Sequence, residues 1–235
     1  MMTSLIPKIK LSDKATWVQS EKIAISSWDL KNYMKYLTNE YFARKKIIVL
    51  PIIPDDYFLD LGKLIKKLIT QYEKDRFVFV SNDCSCYNDL PEDCEEELED
   101  LYTVNSFLFE DFLIDVGMLK GYNKETYEQT RKTLSDHVSL YMIYLTGEIR
   151  SNPKYFKVNE WLLNTFPNGL DKGVLLHGCP MSQFPTLKHC HLDIRGVITA
   201  GHIGDAIYRG NPTWKRETRI KKAWENWSTA FQTGV

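Results

Sequence analysis

Histidine and cysteine, the side chains that most often ligate zinc and other transition metals, are crowded into one part of this 235-residue sequence. The chain has five of each. Six of them lie between residues 177 and 202, namely His177, Cys179, His189, Cys190, His191 and His202. This crowding makes the segment the first place to look for a metal site.

The segment "KHCHLDIR", residues 188–195, alternates polar and apolar residues. Successive side chains of an extended chain point to opposite faces, so His189, His191 and Asp193 would share one face with Arg195. The pattern predicts a site for zinc or another divalent metal, with His177 or His202 as a further ligand. An ordinary half-buried strand also alternates in this way, so a polar face that meets water remains the alternative.

Three further residues could bind an anionic substrate. Arg195 would lie beside the predicted metal ion, while Tyr208 and Arg209 belong to the glycine-rich stretch "GHIGDAIYRGN" (201–211). Arginine suits phosphate oxygens, and glycine lets the backbone approach a ligand closely. The alternative is that this stretch is only a turn before the last helix.

A second thiol cluster consists of Cys84, Cys86 and Cys94. These residues could share a zinc ion, but their spacing matches no standard zinc motif. Acidic neighbours raise the pKa of a thiol, which disfavours a reactive nucleophile. Ordinary reduced thiols are the simpler interpretation.

The charge of the chain is unevenly distributed although its net value is only -1. Residues 83–117 contain twelve acidic and no basic side chains. Such a run is typical of a solvated face, or it folds back on basic parts of the chain. The alternative is an acidic surface for a basic partner or for divalent cations.

The first third of the chain alternates between strand and helix patterns. Strands are predicted at 22–27, 45–53 and 76–83, with helices from Trp28 and from Pro54 to about Lys74. This order favours parallel strands joined by right-handed crossovers.

The segment 83–150 is predicted as an acidic loop and a mainly helical insertion. One helix would end near Gly121. Apolar residues from Tyr127 to Ile149, at spacings of three and four, predict a long amphipathic helix after it.

The C-terminal part, 151–235, is predicted to combine strands with a terminal helix. "GVLLHG" (173–178) is typical of a strand, and the pair Asn211-Pro212 suits a helix start. Ile220, Trp224, Trp227 and Phe231 form the apolar stripe of that helix. The fold class is therefore α/β (or α+β), in a single domain, 1–235.

Composition limits the location and the partners. No apolar run reaches the roughly 18 residues of a membrane helix, so no membrane association is expected. Five cysteines without a disulfide framework favour a reducing, intracellular and cytoplasmic location. The 13 Tyr, 11 Phe and 6 Trp favour a protein partner or self-association. Nucleic-acid binding is open for the basic last helix, but a pI of about 6.5 lacks the usual basic footprint.

Two functions follow from these patterns. No complete catalytic motif is present, which favours a non-catalytic binding or assembly protein, stabilised by zinc if the metal site forms. The alternative is a metal-dependent hydrolase or transferase for a phosphoester or nucleotide-like substrate, in which the ion activates water and arginines hold the anion.

Overall fold

The computed structural model describes residues 3–51, 59–84, 91–146 and 157–234, and only the backbone of 59, 60 and 91–93. Its eight strands are β1 (Ser4–Pro7), β2 (Lys22–Ser26), β3 (Lys46–Leu50), β4 (Phe77–Phe79), β5 (Val116–Leu119), β6 (Leu140–Tyr144), β7 (Gly173–His177) and β8 (Ile194–Thr199). Every strand pairing is parallel.

The strands close into a barrel. One run of pairs has the order β1-β8-β7-β6-β5 and the other β2-β3-β4. The bridges Lys8–Ala24 and Val80–Val116 join the two runs, with Ile9 N–H donating to the Ala24 carbonyl over 2.9 Å and Ser81 N–H to that of Val116 over 2.8 Å. Each strand therefore neighbours the strands before and after it in sequence, which is the order of a (β/α)8 barrel.

Helices follow seven of the eight strands in sequence. They are α1 (Ser27–Tyr33), α2 (Leu59–Gln71), α3 (Pro91–Asp111), α4 (Lys124–Leu134), α5 (Val158–Thr165), α6 (Phe184–Leu187), α7 (Gly201–Tyr208) and α8 (Arg216–Gly234). Local sequence explains several starts. The Ser26 side chain accepts the Asp29 N–H at the start of α1, and Asn123 forms a capping box with Thr126 at the start of α4.

The first connection, between β1 and β2, has a single 3₁₀ turn, Lys14–Thr16, in place of an α-helix. The C-terminal helix α8 packs against this turn. Trp224 Nε1 donates to the Gln19 carbonyl over 3.1 Å, and Arg216 forms an ion pair with Asp13 at 2.7 Å. The end of the chain thereby covers the gap that the missing helix would leave.

Two apolar layers hold the barrel together. The larger layer lies between strands and helices and includes Ile25, Val49 and Tyr141. The smaller layer fills the barrel interior and consists of Ile6, Ala24, Ile48, Leu50, Val80, Val116, Met118, Met142, Leu175 and Ile198. Because both faces of each strand are covered, the strands are almost uniformly apolar.

The α/β class and the parallel strand–helix unit of the first third are confirmed. Helix α1 is shorter than predicted, since 3₁₀ turns at Met34–Thr38 and Glu40–Phe42 follow it. The predicted helix start at Pro54 lies outside the described residues. Strand β1 was not predicted, because its four residues carry too little pattern to be recognised.

The mainly helical insertion at 83–150 is corrected in part. Helices α3 and α4 are present, but the segment also supplies β5 and β6. The predicted long helix is wrong beyond Leu134, because Leu140–Tyr144 is a strand. A strand buried on both faces contains apolar residues at nearly every position, so it also satisfies a spacing of three and four.

Four C-terminal predictions have different outcomes. The strand at 173–178 and the buried stripe of the last helix are confirmed, although α8 starts at Arg216 and not at Asn211. The strand at 188–195 is wrong over residues 188–193, since β8 begins at Ile194. The stretch at 201–211 is mostly helix α7 and not a turn. No helix among the described residues is long and apolar enough to cross a membrane.

Candidate active site

Polar side chains form a layer at the C-terminal end of the barrel strands. Lys8, Lys120, Tyr144 and His177 each come two residues after a member of the inner core. Because alternate residues of a strand share a face, these four side chains are directed toward the barrel axis, above the apolar interior. Four strands, β1, β5, β6 and β7, thus contribute to one polar layer.

This layer borders a cavity of about 960 Å³. Lys8, Tyr144 and His177 line it from the strands, and the segments after β6, β7 and β8 complete its wall with Thr146, Gly178–Ser182, Thr199–Gly201, Gly204, Asp205, Tyr208 and Arg209. Enzymes with this barrel have their active sites at the same end, built from the segments that follow the strands. The position and the polar lining make the cavity the candidate active site.

Lys8 lines the cavity directly after β1. Burial, together with the positive charge of Lys10, lowers the pKa of Lys8 to about 8. Among the described residues none forms an ion pair or a hydrogen bond with its ammonium group. At neutral pH roughly a tenth of such a lysine is the uncharged amine, which is the nucleophilic form.

His177 and Tyr144 stand beside this lysine. Their rings stack with centroids 4.7 Å apart. Burial, with the charge of Lys8 as the second cause, lowers the pKa of His177 to about 3, so the imidazole is neutral near pH 7. In the described part of the chain neither ring nitrogen of His177 has a hydrogen-bond partner. A neutral imidazole that borders a cavity can accept and return a proton.

Lys120 has a different environment. Its side chain is buried and forms an ion pair with Asp83 at 3.2 Å. The ammonium group also lies 5.8 Å from the centre of the Tyr144 ring. A paired ammonium suits electrostatic stabilisation of substrate oxygens better than nucleophilic attack.

Two glycines shape the wall of the cavity. Gly178 has φ +87°, and a Cβ there would lie 1.6 Å from Thr146 Oγ1. A Cβ on Gly201 would lie 2.2 Å from the Trp227 ring. Only glycine fits at both positions, because a side chain would clash and Gly178 also needs the left-handed conformation.

The structure separates the residues that the sequence predicted to bind one metal ion. His177 and His202 lie at the C-terminal end of the barrel, and His202 is fully buried in α7. His189, His191 and Asp193 are exposed before β8, at the opposite end. A six-residue strand spans about 20 Å, so the two groups cannot share an ion.

The contacts of His191 and Asp193, at the opposite end of the barrel, agree with this separation. The His191 ring is hydrogen-bonded to the Phe166 carbonyl over 2.7 Å, and Asp193 is paired with Arg195. Among the residues that the structure describes, no group of three or more His, Cys, Asp and Glu side chains could hold a metal ion. The zinc or divalent-metal hypothesis, and the hydrolase that would depend on it, therefore have no ligand set in this part of the chain.

The predicted substrate-binding residues also lie at different ends of the barrel, and Cys84 and Cys94 of the predicted thiol cluster lie apart from the cavity. Tyr208 and Arg209 line the cavity, whereas Arg195 is at the far end of β8. Cys84 and Cys94 are buried in a small apolar cluster with Leu98 and Leu101, and Cys86 lies outside the described residues.

Sequence reasoning missed Lys8, Lys120 and Tyr144. Each comes directly after, or at the end of, a short apolar strand, and a polar residue at that position of a parallel strand was the available signal. The signal was hidden because β1, β5 and β6 were not recognised as strands.

Of the comparisons with known proteins, the one with solved structures gives a match. No protein-family model matches the sequence, and no curated protein matches it. Among solved structures, the chain resembles D-psicose 3-epimerase with D-tagatose from Clostridium cellulolyticum H10, with a TM-score of 0.51. The match covers 98% of this chain and 99% of that chain at 11% identity. The fold is similar to that of an epimerase. At this identity the likeness concerns the fold.

The expectation of a non-catalytic binding or assembly protein is wrong. The fold is a (β/α)8 barrel similar to that of an epimerase, and a cavity lined by Lys8, Tyr144 and His177 lies at the end where enzymes with this barrel carry their active sites. The expectation was based on the lack of a contiguous catalytic motif. A barrel site is assembled from the ends of several strands, so its residues are dispersed through the sequence.

Proposed function

We propose that this chain is an enzyme for a small carbonyl compound, with Lys8 as the amine that attacks the carbonyl carbon. One observation carries the proposal. Among the described residues the Lys8 ammonium group has no acidic partner, and it lies in a cavity that it shares with His177 and Tyr144 at the C-terminal end of the barrel strands.

The chemistry follows from an amine of this kind. The uncharged Lys8 nitrogen forms a bond to the carbonyl carbon, and the carbonyl oxygen takes up protons and leaves as water. The resulting iminium ion withdraws electrons from the adjacent carbon and weakens its C–H bond. Removal and return of that proton inverts or isomerises the adjacent carbon. The similar solved structure is an epimerase, which supports this reaction class.

The neighbouring residues have matching roles in the proposal. His177 borders the cavity and its ring nitrogens are unpartnered among the described residues, so it is the group positioned to move the proton. Lys120, buried and paired with Asp83, supplies a positive charge behind the Tyr144 ring. Tyr144 holds His177 in place by ring stacking and holds Lys120 in place through the contact between its ring and the ammonium group.

Reductive trapping tests the role of Lys8. The protein is incubated with D-psicose, dihydroxyacetone or pyruvate and sodium cyanoborohydride, and the modified lysine is located by peptide fragmentation in a mass spectrometer. We expect an adduct on Lys8 that is absent from Lys8→Met and retained in Lys10→Met, which removes the exposed lysine two residues away. The trapping rate should increase about fivefold from pH 7 to pH 8 and then level off, as a pKa near 8 requires.

Two results would contradict the proposal. One is modification spread over exposed lysines without preference for Lys8. The other is a rate that continues to increase tenfold per pH unit above pH 8, which is the behaviour of an ordinary lysine.

We also infer an intracellular, cytoplasmic location and self-association. Cys179 and Cys190 are free thiols, as is usual in a reducing compartment. Exposed aromatic side chains such as Trp28, Phe107 and Tyr208 support contact with a second chain. Sedimentation velocity of the purified protein measures the oligomeric state.

A further inference from the structure

We propose that a second cavity, between α7 and α8, binds an anionic group of the substrate, either a phosphate or a carboxylate, and that Arg219 is its main contact. This inference rests on the proposed function, because it assigns the far end of the same substrate. The cavity has a volume of about 410 Å³, and Arg209, Arg219, Lys222, Asn211, Asn226 and Trp214 are among the residues that line it.

Among the residues that the structure describes, Arg219 has neither a counterion nor a hydrogen-bond partner for its guanidinium. Its Nε atom is buried and has no hydrogen-bond partner, and no described carboxylate or carbonyl group binds its guanidinium. The aliphatic part of the side chain lies against Gly210, where a Cβ would be 2.9 Å from Arg219 Cδ. A planar donor group held against the backbone without a partner suits bidentate recognition of anionic oxygens.

The remaining charges of the cavity leave a positive excess. Arg209 is 3.6 Å from Asp205 and mostly exposed, so this pair is weak. Asp205 also accepts a hydrogen bond from Trp227 Nε1 over 2.7 Å. Lys222 is paired with Glu225 at 2.9 Å on the exposed side of α8. Of the three cations that line the cavity, Arg209 is paired with Asp205 and Lys222 with Glu225. Neither carboxylate pairs with Arg219.

The two cavities adjoin each other. Met181, Asp205, Arg209 and Trp227 line both of them. A substrate that reacts at Lys8 can therefore extend past Trp227 and place a charged end near Arg219.

Tryptophan resonances allow a local binding measurement. The indole N–H signals of Trp214 and Trp227, which line the second cavity, are followed by NMR while inorganic phosphate or acetate is added at constant ionic strength. We expect a saturable shift with one of the two anions, and the anion that binds more tightly identifies the charged group. Arg219→Gln should weaken this binding about tenfold.

A matched control removes the same charge elsewhere on α8. Lys221 is exposed and paired with Glu217 at 2.8 Å, and Lys221→Gln should leave the affinity within about twofold of wild type. The indole spectrum of each variant also reports whether it is folded. No saturable shift with either anion would overturn the proposal, as would equal weakening by both substitutions.

The Lys8→Met variant separates this inference from the proposed function. Anion binding should persist in that variant, since Lys8 does not line the second cavity. Loss of binding in Lys8→Met would place the anion in the first cavity and overturn the inference. If anion binding persists while wild-type Lys8 is not trapped by carbonyl compounds, only the proposed function fails.

Discussion

His202 is a buried polar residue that makes the stability of this fold depend on pH. Both of its ring nitrogens are buried and have no hydrogen-bond partner among the described residues, and its ring meets that of Trp224 edge to face at 5.0 Å. Burial lowers the pKa of His202 to about 4, although the negative charge of Asp205 opposes this shift. The imidazole is therefore neutral in the folded protein at pH values at which it is charged in the unfolded chain.

This difference in pKa predicts acid sensitivity. The unfolded chain takes up a proton near pH 6.5 and the folded protein only near pH 4, so the free energy of unfolding decreases as the pH falls between these values. The contribution of His202 amounts to about 3 kcal/mol by pH 4. His202→Leu should remove this part of the loss, as measured by urea unfolding at pH 7 and pH 4.

The exposed His189 provides the matched control. His189→Leu should lose as much stability between pH 7 and pH 4 as wild type does. His177, with its pKa of about 3, stays in both variants and adds its own acid sensitivity. If His202→Leu and wild type lost the same free energy of unfolding, the assignment to His202 would be wrong.

At the scale of an element, the two cavity-lining glycines of α7 have opposite roles. Gly201, at the start of the helix, lets Trp227 pack against the backbone, with its ring 2.2 Å from the place of a Cβ. Gly204, one turn later, has no atom within 4 Å of that place. The first glycine is needed for the contact between α7 and α8, whereas the second only weakens the helix.

This contrast predicts stability changes of opposite sign. Gly201→Ala should decrease the free energy of unfolding by about 2 kcal/mol, because the added methyl group displaces Trp227. Gly204→Ala should increase it by about 0.5 to 1 kcal/mol through helix propensity. Guanidinium unfolding curves of the two variants provide the comparison, and a loss of stability in both would contradict this assignment.

At the scale of the whole molecule, α8 links the two ends of the chain. It packs on the 3₁₀ turn of the first connection, where Trp224 and Arg216 contact Gln19 and Asp13, and on α6 and α7. Trp227 and Phe231 continue the same buried stripe against Phe184. The helix therefore belongs to the barrel core and should unfold with it.

Truncation of Trp224 tests this coupling. Trp224→Ala should decrease the free energy of unfolding by about 4 kcal/mol, as is usual for a buried tryptophan. Circular dichroism and tryptophan fluorescence should still report the same midpoint, since one transition unfolds the whole barrel. Trp214→Ala is the control, because Trp214 is 45% exposed and should change the stability little. A fluorescence midpoint below that of circular dichroism would show that α8 unfolds separately.

Local patterns in the sequence were sufficient to predict several helices and strands. The continuous apolar strands β3 and β7 and the stripe of Ile220, Trp224, Trp227 and Phe231 were correctly predicted, because burial imposes a pattern on neighbouring residues. Tyr208 and Arg209, which the sequence predicted to bind substrate, line the first cavity, and their role in binding stays a prediction. By contrast, the spacing of three and four across β6 was mistaken for a helix.

The arrangement of the site was decided by the tertiary structure. The sequence by itself determined an α/β chain with parallel strands and a crowded set of histidines. Closure of the barrel then placed His177 beside Lys8, 169 positions earlier in the chain, and separated it from His191, only 14 positions later. The reason is geometric: consecutive parallel strands all begin at one end of a barrel and finish at the other. Distance along the chain therefore says little about which polar groups meet at the mouth of the barrel.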